Sequence, residues 1–266
     1  MIMKGQSMKI VVLIKQVPDT AEERTLVPAT GWLDRDAADN VVDEINERAL
    51  EVALRVKDAD KSTEVVVLAM GPDEATKAIR KALSMGADSG IHVLDGGLAG
   101  SDASRTAAVL AAALRGTSAD VILAGNESTD GRGGVVPAMI AEHLGLPLVG
   151  GLNAVELVGA AGSGKVSGER SGDSGSLQVT AALPAVVTVT ERTAEARFPN
   201  FKGILTAKRK PVATLTLADL DVAVTVAHAV VVSHSERPAR EAGRKIEDDG
   251  TAGTQLASYL IENHLV

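Results

Sequence analysis

The chain has no cysteine among its 266 residues, so neither a disulfide, a thiolate nucleophile nor a thiolate-held metal can figure in its chemistry. Aromatics are nearly absent too: Trp32, Phe198, Phe201 and Tyr259 are the whole set, and the core must be built from Ala, Val, Leu and Ile. No apolar run is long enough to span a bilayer, so no direct membrane insertion is expected. Met1 to Ser7 lacks the apolar stretch of a secretion signal, which leaves Met8-Lys9 as an alternative start. A net charge of −8 supplies no basic face for nucleic acid. His92, His143, His228, His234 and His264 are scattered, with no metal-ligand spacing, so no metal site is expected. A cytoplasmic protein is the default expectation.

What is present is the balance of a soluble globular protein, 45% hydrophobic and 23% charged, with material for one large domain or two modest ones. Lys9 to Val17, Glu64 to Met70, Gly90 to Leu94 and Asp120 to Ala124 are short β-branched runs, apolar on both faces, as buried parallel strands are. Helical periods alternate with them. Ile45, Ala49, Val52, Ala53 and Val56 form one stripe, with Glu44, Glu47, Arg48 and Glu51 opposite. A second stripe, Ala75 to Leu83, stops at Gly86; a third spans Ser101 to Leu114, capped by Ser101 or Asp102. The fourth, Val135 to Leu144, has Pro137 in its first turn. Alternation of this kind predicts an α/β fold with a parallel, right-handed, doubly wound sheet. Beyond Pro147 the spacing predicts a hairpin, Lys165 to Arg170 and Ser176 to Leu183, then a buried strand, Ala185 to Thr190. After Pro211 the chain turns irregular, with a charged linker from Ser235 to Asp249. A terminal amphipathic helix, Gln255 to Leu265, lies either on its own domain or on a partner.

The richest loop follows the fourth strand: Gly125-Asn126-Glu127-Ser128-Thr129-Asp130-Gly131-Arg132-Gly133-Gly134, entering the helix at Val135-Val136. Ligands of open α/β sheets bind beyond the carboxyl ends of strands, and a helix N-terminus offers free N–H groups to an anion. A nucleotide phosphate is the better reading of this loop, against an ordinary polar connection. It matches neither the Rossmann glycine pattern nor a P-loop. Gly159 to Val166 nearly spells a P-loop, but Val166 stands where a magnesium-binding hydroxyl belongs, and the stretch reads as a hairpin turn. Asn40 and Asp43 precede the first helix as caps, or else face a nucleotide across the strand ends. No paired carboxylates or Ser/His/Asp set marks a catalytic centre. Both phenylalanines fall in Arg197-Phe198-Pro199-Asn200-Phe201-Lys202-Gly203, read as an exposed loop. Rings there serve either a docking surface or a small satellite core.

KIVVLIKQVPDT from Lys9, Asp39-Asn40 with Asp43-Glu44-Ile45, the run ending at Pro72 and the GNESTDG loop together resemble the β subunit of electron transfer flavoproteins. So do Lys77 to Ala87, Gly90 to Val93, Glu169-Arg170, Leu183 to Thr188 and Ala207 to Lys210. The resemblance implies an adenine-nucleotide-hydrolase-like domain over 9–210, including hairpin 165–183 and a recognition loop at 191–205. A C-terminal arm, 211–266, would lay its terminal helix on the partner. It implies a heterodimer in which an α subunit holds the redox-active FAD and this subunit holds a structural AMP. Such a pair carries electrons from acyl-CoA and related dehydrogenases to a membrane quinone reductase. The implied nucleotide site is Leu13, Asn40, Val41, Val42, Asp43, Met70 and the loop from Gly125 to Val136. Val136-Pro137 replaces a Thr-Gly pair of many members and removes a hydroxyl donor. Arg132-Gly133-Gly134-Val135 after Asp130-Gly131 departs from the electron-bifurcating pattern. In the recognition loop Arg197 matches the family's arginine, Phe198 stands at a tyrosine site and reads as structural, and Phe201 replaces an anchoring leucine, which suggests a wider pocket on the partner. A stand-alone ATP- or AMP-binding protein of the universal-stress type is the competing expectation. An AMP-using ligase or hydrolase is disfavoured by the missing catalytic set.

Overall fold

The computed structural model describes residues 7–159, 162–222, 226–235, 237–239 and 243–266. In chain order the first half comprises β1 (Lys9–Leu13), β2 (Gln16–Pro18), β3 (Asn40–Val42), α1 (Glu44–Ala59), β4 (Glu64–Met70), α2 (Thr76–Met85), β5 (Ser89–Val93), α3 (Ala103–Arg115) and β6 (Val121–Gly125). The second half comprises α4 (Val136–Leu144), β7 (Leu148–Leu152), β8 (Ala154–Val158), β9 (Lys165–Gly172), β10 (Gly175–Ala182), β11 (Ala185–Val189), α5 (Phe201–Ala207), β12 (Val212–Leu215) and α6 (Ala252–Glu262). Seven strands form one parallel sheet in the order β12-β5-β4-β1-β6-β11-β7. The expected doubly wound α/β sheet is present, with an added antiparallel sheet β10-β9-β8.

Period-two alternation along each strand divides the core between two faces. Ile10, Val12, Val65, Val67, Val121 and Leu123 pack with the apolar stripes of α1 and α2. Val11, Leu13, Val66, Leu68 and Ile122 pack with α3 and α4. The helix ends follow local chemistry. The Asp43 carboxylate accepts from the N–H groups of Ile45 and Asn46, Asp102 accepts from the N–H of Arg105, and Gly86 closes α2 at φ +143°.

Several expectations are corrected. Lys9 to Val17 is not one strand: β1 ends at Leu13, and Gln16–Pro18 turns aside to pair antiparallel with β3. The hairpin has a shorter turn than Ser171 to Gly175, because β9 runs to Gly172, and β8 adds a third strand beside it. Val212–Leu215 is not irregular but adds an edge strand to β5, so the sheet extends past the division drawn at 210. The first compact unit ends at Val231 and the second is Val232–Val266. In that second unit α6 starts at Ala252 and stops at Glu262, and its Leu256, Tyr259 and Ile261 are exposed. Glu51 does not belong to the solvent face of α1; it is 4% exposed. The segment holding the phenylalanines is not wholly loop, since Asn200 caps a helix that begins at Phe201. The P-loop-like stretch joins β8 to β9, and its residues 160 and 161 lie outside the described residues. Among the described residues, no helix is long and apolar enough to cross a membrane, and no cluster of three or more His, Asp or Glu could hold a metal.

Candidate functional site

Chain order from β1 runs outward through β4 to β5 and then returns to the other side of β1 at β6. This reversal opens a crevice beyond the carboxyl ends of β1 and β6, the usual ligand position in such sheets. The Gly125–Val136 loop leaves β6 at that point. Leu13, Met70 and β3 approach it from neighbouring strands. Leu13 and Val42 are themselves buried in the core, while Asn40, Val41 and Met70 are partly exposed.

Asp43 does two jobs with one carboxylate. Oδ1 caps α1, and Oδ2 accepts from the N–H of Thr129 at 2.7 Å, fixing the loop against the helix start. Asp130 is the second anchor. Its side chain, 2% exposed, meets Lys15 Nζ at 2.7 Å and Arg35 Nη2 at 3.1 Å. Burial alone would raise the Asp130 carboxyl, but the Lys15 ammonium, the Ser128 hydroxyl and the Arg35 guanidinium outweigh it and hold it down at about 2. Arg24 grips Thr129 twice, at its carbonyl and its hydroxyl, and reaches back to the Pro18 carbonyl. None of these three cations was singled out from the sequence. The usable signal was Lys15 itself, a charge inside an apolar run, which forces the break after β1 and swings toward the loop. Arg24 and Arg35 sit in the 19–39 excursion between β2 and β3, where no motif points to them.

The glycines differ in purpose. A side chain on Gly125 would strike Asn46 and Ile45, at 2.7 and 3.0 Å from the new carbon. Gly134 holds φ +63°, which favours glycine. Gly133 has open space around it and leaves the backbone bare, whereas Gly131 packs beside Ser128 and Lys15 and gives its N–H to Asp130 Oδ1 at 2.7 Å. From Gly131 to Val135 every residue is exposed. The start of α4 has no side-chain cap, and Pro137 lacks an N–H, so Val136 and Ala138 head a helix whose N-terminal donors point outward. Arg132, at φ +48°, gives its N–H to the Ser128 carbonyl at 2.8 Å, and its side chain makes a distant ion pair with Glu127 at 3.9 Å. Two acceptors, Asn40 Oδ1 and Asn126 Oδ1, are buried with no hydrogen-bond partner. The site thus offers backbone N–H groups to an anion and lone carbonyl oxygens to hydroxyl or amino donors. A nucleoside monophosphate carries that combination of groups. A cleft of about 670 Å³ between α1 and β8, lined by Met8, Val52, Thr63 and Leu157, lies at the amino ends of the strands, away from this loop.

A model of the electron transfer flavoprotein domain matches residues 30–220. The electron transfer flavoprotein subunit beta of Mycobacterium tuberculosis is 48% identical over 269 residues, covering 97% of this chain and 99% of that protein. The subunit beta of Syntrophomonas wolfei is 36% identical over 255 residues, 96% of each. The chain belongs to the electron transfer flavoprotein β-subunit family. A more distant relative, the caffeyl-CoA reductase-Etf complex subunit CarD of Acetobacterium woodii, is 29% identical over 269 residues, 97% of this chain and all of that protein at 100%. As a member of this family the chain is a subunit of an electron carrier, and a catalytic centre of its own is not required for that role.

The family match covers both the Gly125–Val136 loop and the segment around α5. In that segment Phe198 is 94% exposed and Phe201 78%. A structural role for Phe198 within this chain is therefore overturned: no core lies beneath its ring. Arg197, by contrast, turns inward to Glu51 and Asp58. α5 rests on the end of α2, where a side chain on Gly203 would put its first carbon 2.2 Å from the Ser84 carbonyl oxygen. Gly203→Ala is expected to lower stability by about 1–2 kcal/mol, since α5 is short and can slide outward to relieve the overlap. Urea unfolding checks this, and an unchanged midpoint would contradict the close seating.

Proposed function

We propose that this chain binds AMP at the Gly125–Val136 loop and pairs with an α subunit that holds FAD, the heterodimer carrying electrons from acyl-CoA and related dehydrogenases to a membrane quinone reductase. The observation that carries the nucleotide reading is the pair of buried, unpartnered oxygens, Asn40 Oδ1 and Asn126 Oδ1, together with the uncapped start of α4. The N–H groups from Gly133 to Val136 would hold the phosphate, and the two asparagines would accept from ribose or adenine. Val136-Pro137 supplies no hydroxyl there, so backbone donors carry the phosphate. AMP supplies no redox chemistry; it fills the crevice and stabilises the loop. The same loop lacks the bifurcating pattern, which supports one nucleotide monophosphate in place of a second flavin. The C-terminal arm from 211 onward would lie on the α subunit, and a cytoplasmic location accompanies this reading.

Co-expression with the α chain tests it. The purified pair should be yellow, and acid extraction should release about one AMP and one FAD per heterodimer. Two FAD and no AMP would assign the bifurcating type. A colourless homodimer that binds ATP without an α chain would favour the universal-stress reading and overturn the proposal.

A further inference from the structure

Glu51 sits in the middle of α1, on a turn where its neighbours Glu47 and Arg48 remain partly exposed, yet it is buried. Four donors converge on its carboxylate. The Arg197 backbone N–H lies at 3.2 Å, Arg197 Nε at 2.7 Å, Arg197 Nη2 at 3.1 Å and Arg55 Nε at 3.0 Å. The remaining arm of the guanidinium, Nη1, pairs with Asp58 at 2.8 Å. Burial alone would raise the Glu51 carboxyl, and the two arginines overcome it and lower it. A buried ion pair is a poor device for stability, because well-packed apolar side chains do as well. What a two-point guanidinium–carboxylate pair provides is fixed geometry.

The geometry it fixes is that of the exposed rings. Only Phe198, Pro199 and Asn200 separate Arg197 from α5. Pro199 restricts its own backbone, and the Asn200 side chain accepts from the N–H of Gly203 at 2.7 Å to begin the helix. The far end is tied as well: Arg80 Nη1 donates to the carbonyls of Ala207 at 2.9 Å and Lys210 at 2.8 Å. The two rings thus stand between two anchors, with little packing of their own to aim them.

We infer that Glu51 is a positioning residue for donor docking, holding Arg197 so that Phe198 and Phe201 leave the surface in one fixed direction. The inference rests on the docking role read for this segment and adds the residue that orients it. With Glu51 neutralised, the amino-terminal anchor loosens and the rings must be ordered anew at each encounter, which weakens association and leaves electron transfer within the complex intact.

The test uses the heterodimer as substrate of an acyl-CoA dehydrogenase that reduces the wild-type pair. Glu51→Gln is expected to raise the KM for the heterodimer about tenfold with kcat within about twofold, and FAD content unchanged. In a Phe201→Ala background the same change should raise KM less than about twofold, because the ring read as the anchor is gone. A full tenfold effect in that background would assign Glu51 a general structural role and overturn the inference. No effect of Glu51→Gln, with Phe201→Ala still raising KM, would overturn it and leave docking standing. No effect of Phe201→Ala would remove the docking reading and the inference together. If Glu51→Gln yields no soluble heterodimer, Asp58→Asn loosens the same guanidinium from its exposed side. A rise in KM of about two- to threefold is then expected, and an unchanged KM overturns the inference.

Discussion

Replacing Asp130 by asparagine is expected to cost the fold about 2–3 kcal/mol at neutral pH and to weaken binding of the AMP proposed for its loop. The side chain is almost fully buried, and it gathers Lys15, Arg35 and Ser128 around one carboxylate. Its carboxyl falls from an ordinary 3.8 to about 2. At about 1.4 kcal/mol per pH unit, that drop stabilises the folded state by roughly 2.5 kcal/mol. Lys15 and Arg35 are 40% and 36% exposed, so both regain water when the carboxylate is neutralised. The cost should therefore stay below the roughly 3–5 kcal/mol of breaking a wholly buried pair. The folded-state value lies below the unfolded one. The contribution is thus fully present above the unfolded value, near pH 4, and is lost as pH falls through about 2. Urea midpoints between pH 2 and 7 should show wild type and Asp130→Asn converging at the acid end, parting between about pH 2 and 4 and holding the full gap above that. A gap of constant size would assign the effect to packing and remove the electrostatic account. The AMP proposed for the loop and released on acid extraction should drop in parallel, because the Asp130 end of the loop loses its anchor while Asp43 and Arg24 keep their hold on Thr129.

What could be seen in the sequence follows from how local each signal is. The central strands and four flanking helices announce themselves because burial on both faces, helical stripes and caps such as Asp43 and Asp102 act within a few residues. β7 and β12 do not. Leu148–Leu152 is interrupted by Gly150-Gly151, and Val212–Leu215 is a four-residue edge half open to solvent, so neither reads as a buried strand. In the candidate site, the loop and Asp43 were legible from glycine content and helix position. Its cations were not, because Lys15 and Arg35 meet Asp130 across 115 and 95 residues of chain. Glu51 shows the same limit: helical periodicity places it with Glu44 and Glu47, and only Arg197, 146 residues away, explains its burial. Phe198 erred in the other direction. Family position suggested a packed ring, and the chain offers nothing for it to pack on.

Phe201→Ala is expected to raise the KM of a donor dehydrogenase for the heterodimer about 30-fold, equivalent to about 2 kcal/mol, with kcat and FAD content unchanged. The ring is mostly exposed, and Ile204 and Leu205 continue the apolar face one turn further along α5. An aromatic held in water by the fold gains most when a partner pocket buries it, and such anchors dominate interface energies. The helix itself does not depend on the ring. Asn200 caps it, Gly203 seats it against α2 and Arg80 holds its end. The unfolding midpoint of Phe201→Ala should therefore move by no more than about 0.5 kcal/mol, as for an exposed position. Phe201→Leu separates pocket size from hydrophobicity. A pocket shaped for the larger ring leaves a gap beside leucine, so the variant should recover only part of the wild-type KM. Full recovery would show a leucine-sized pocket and remove the argument for a wider one, and an unchanged KM in Phe201→Ala would place donor recognition elsewhere on the heterodimer.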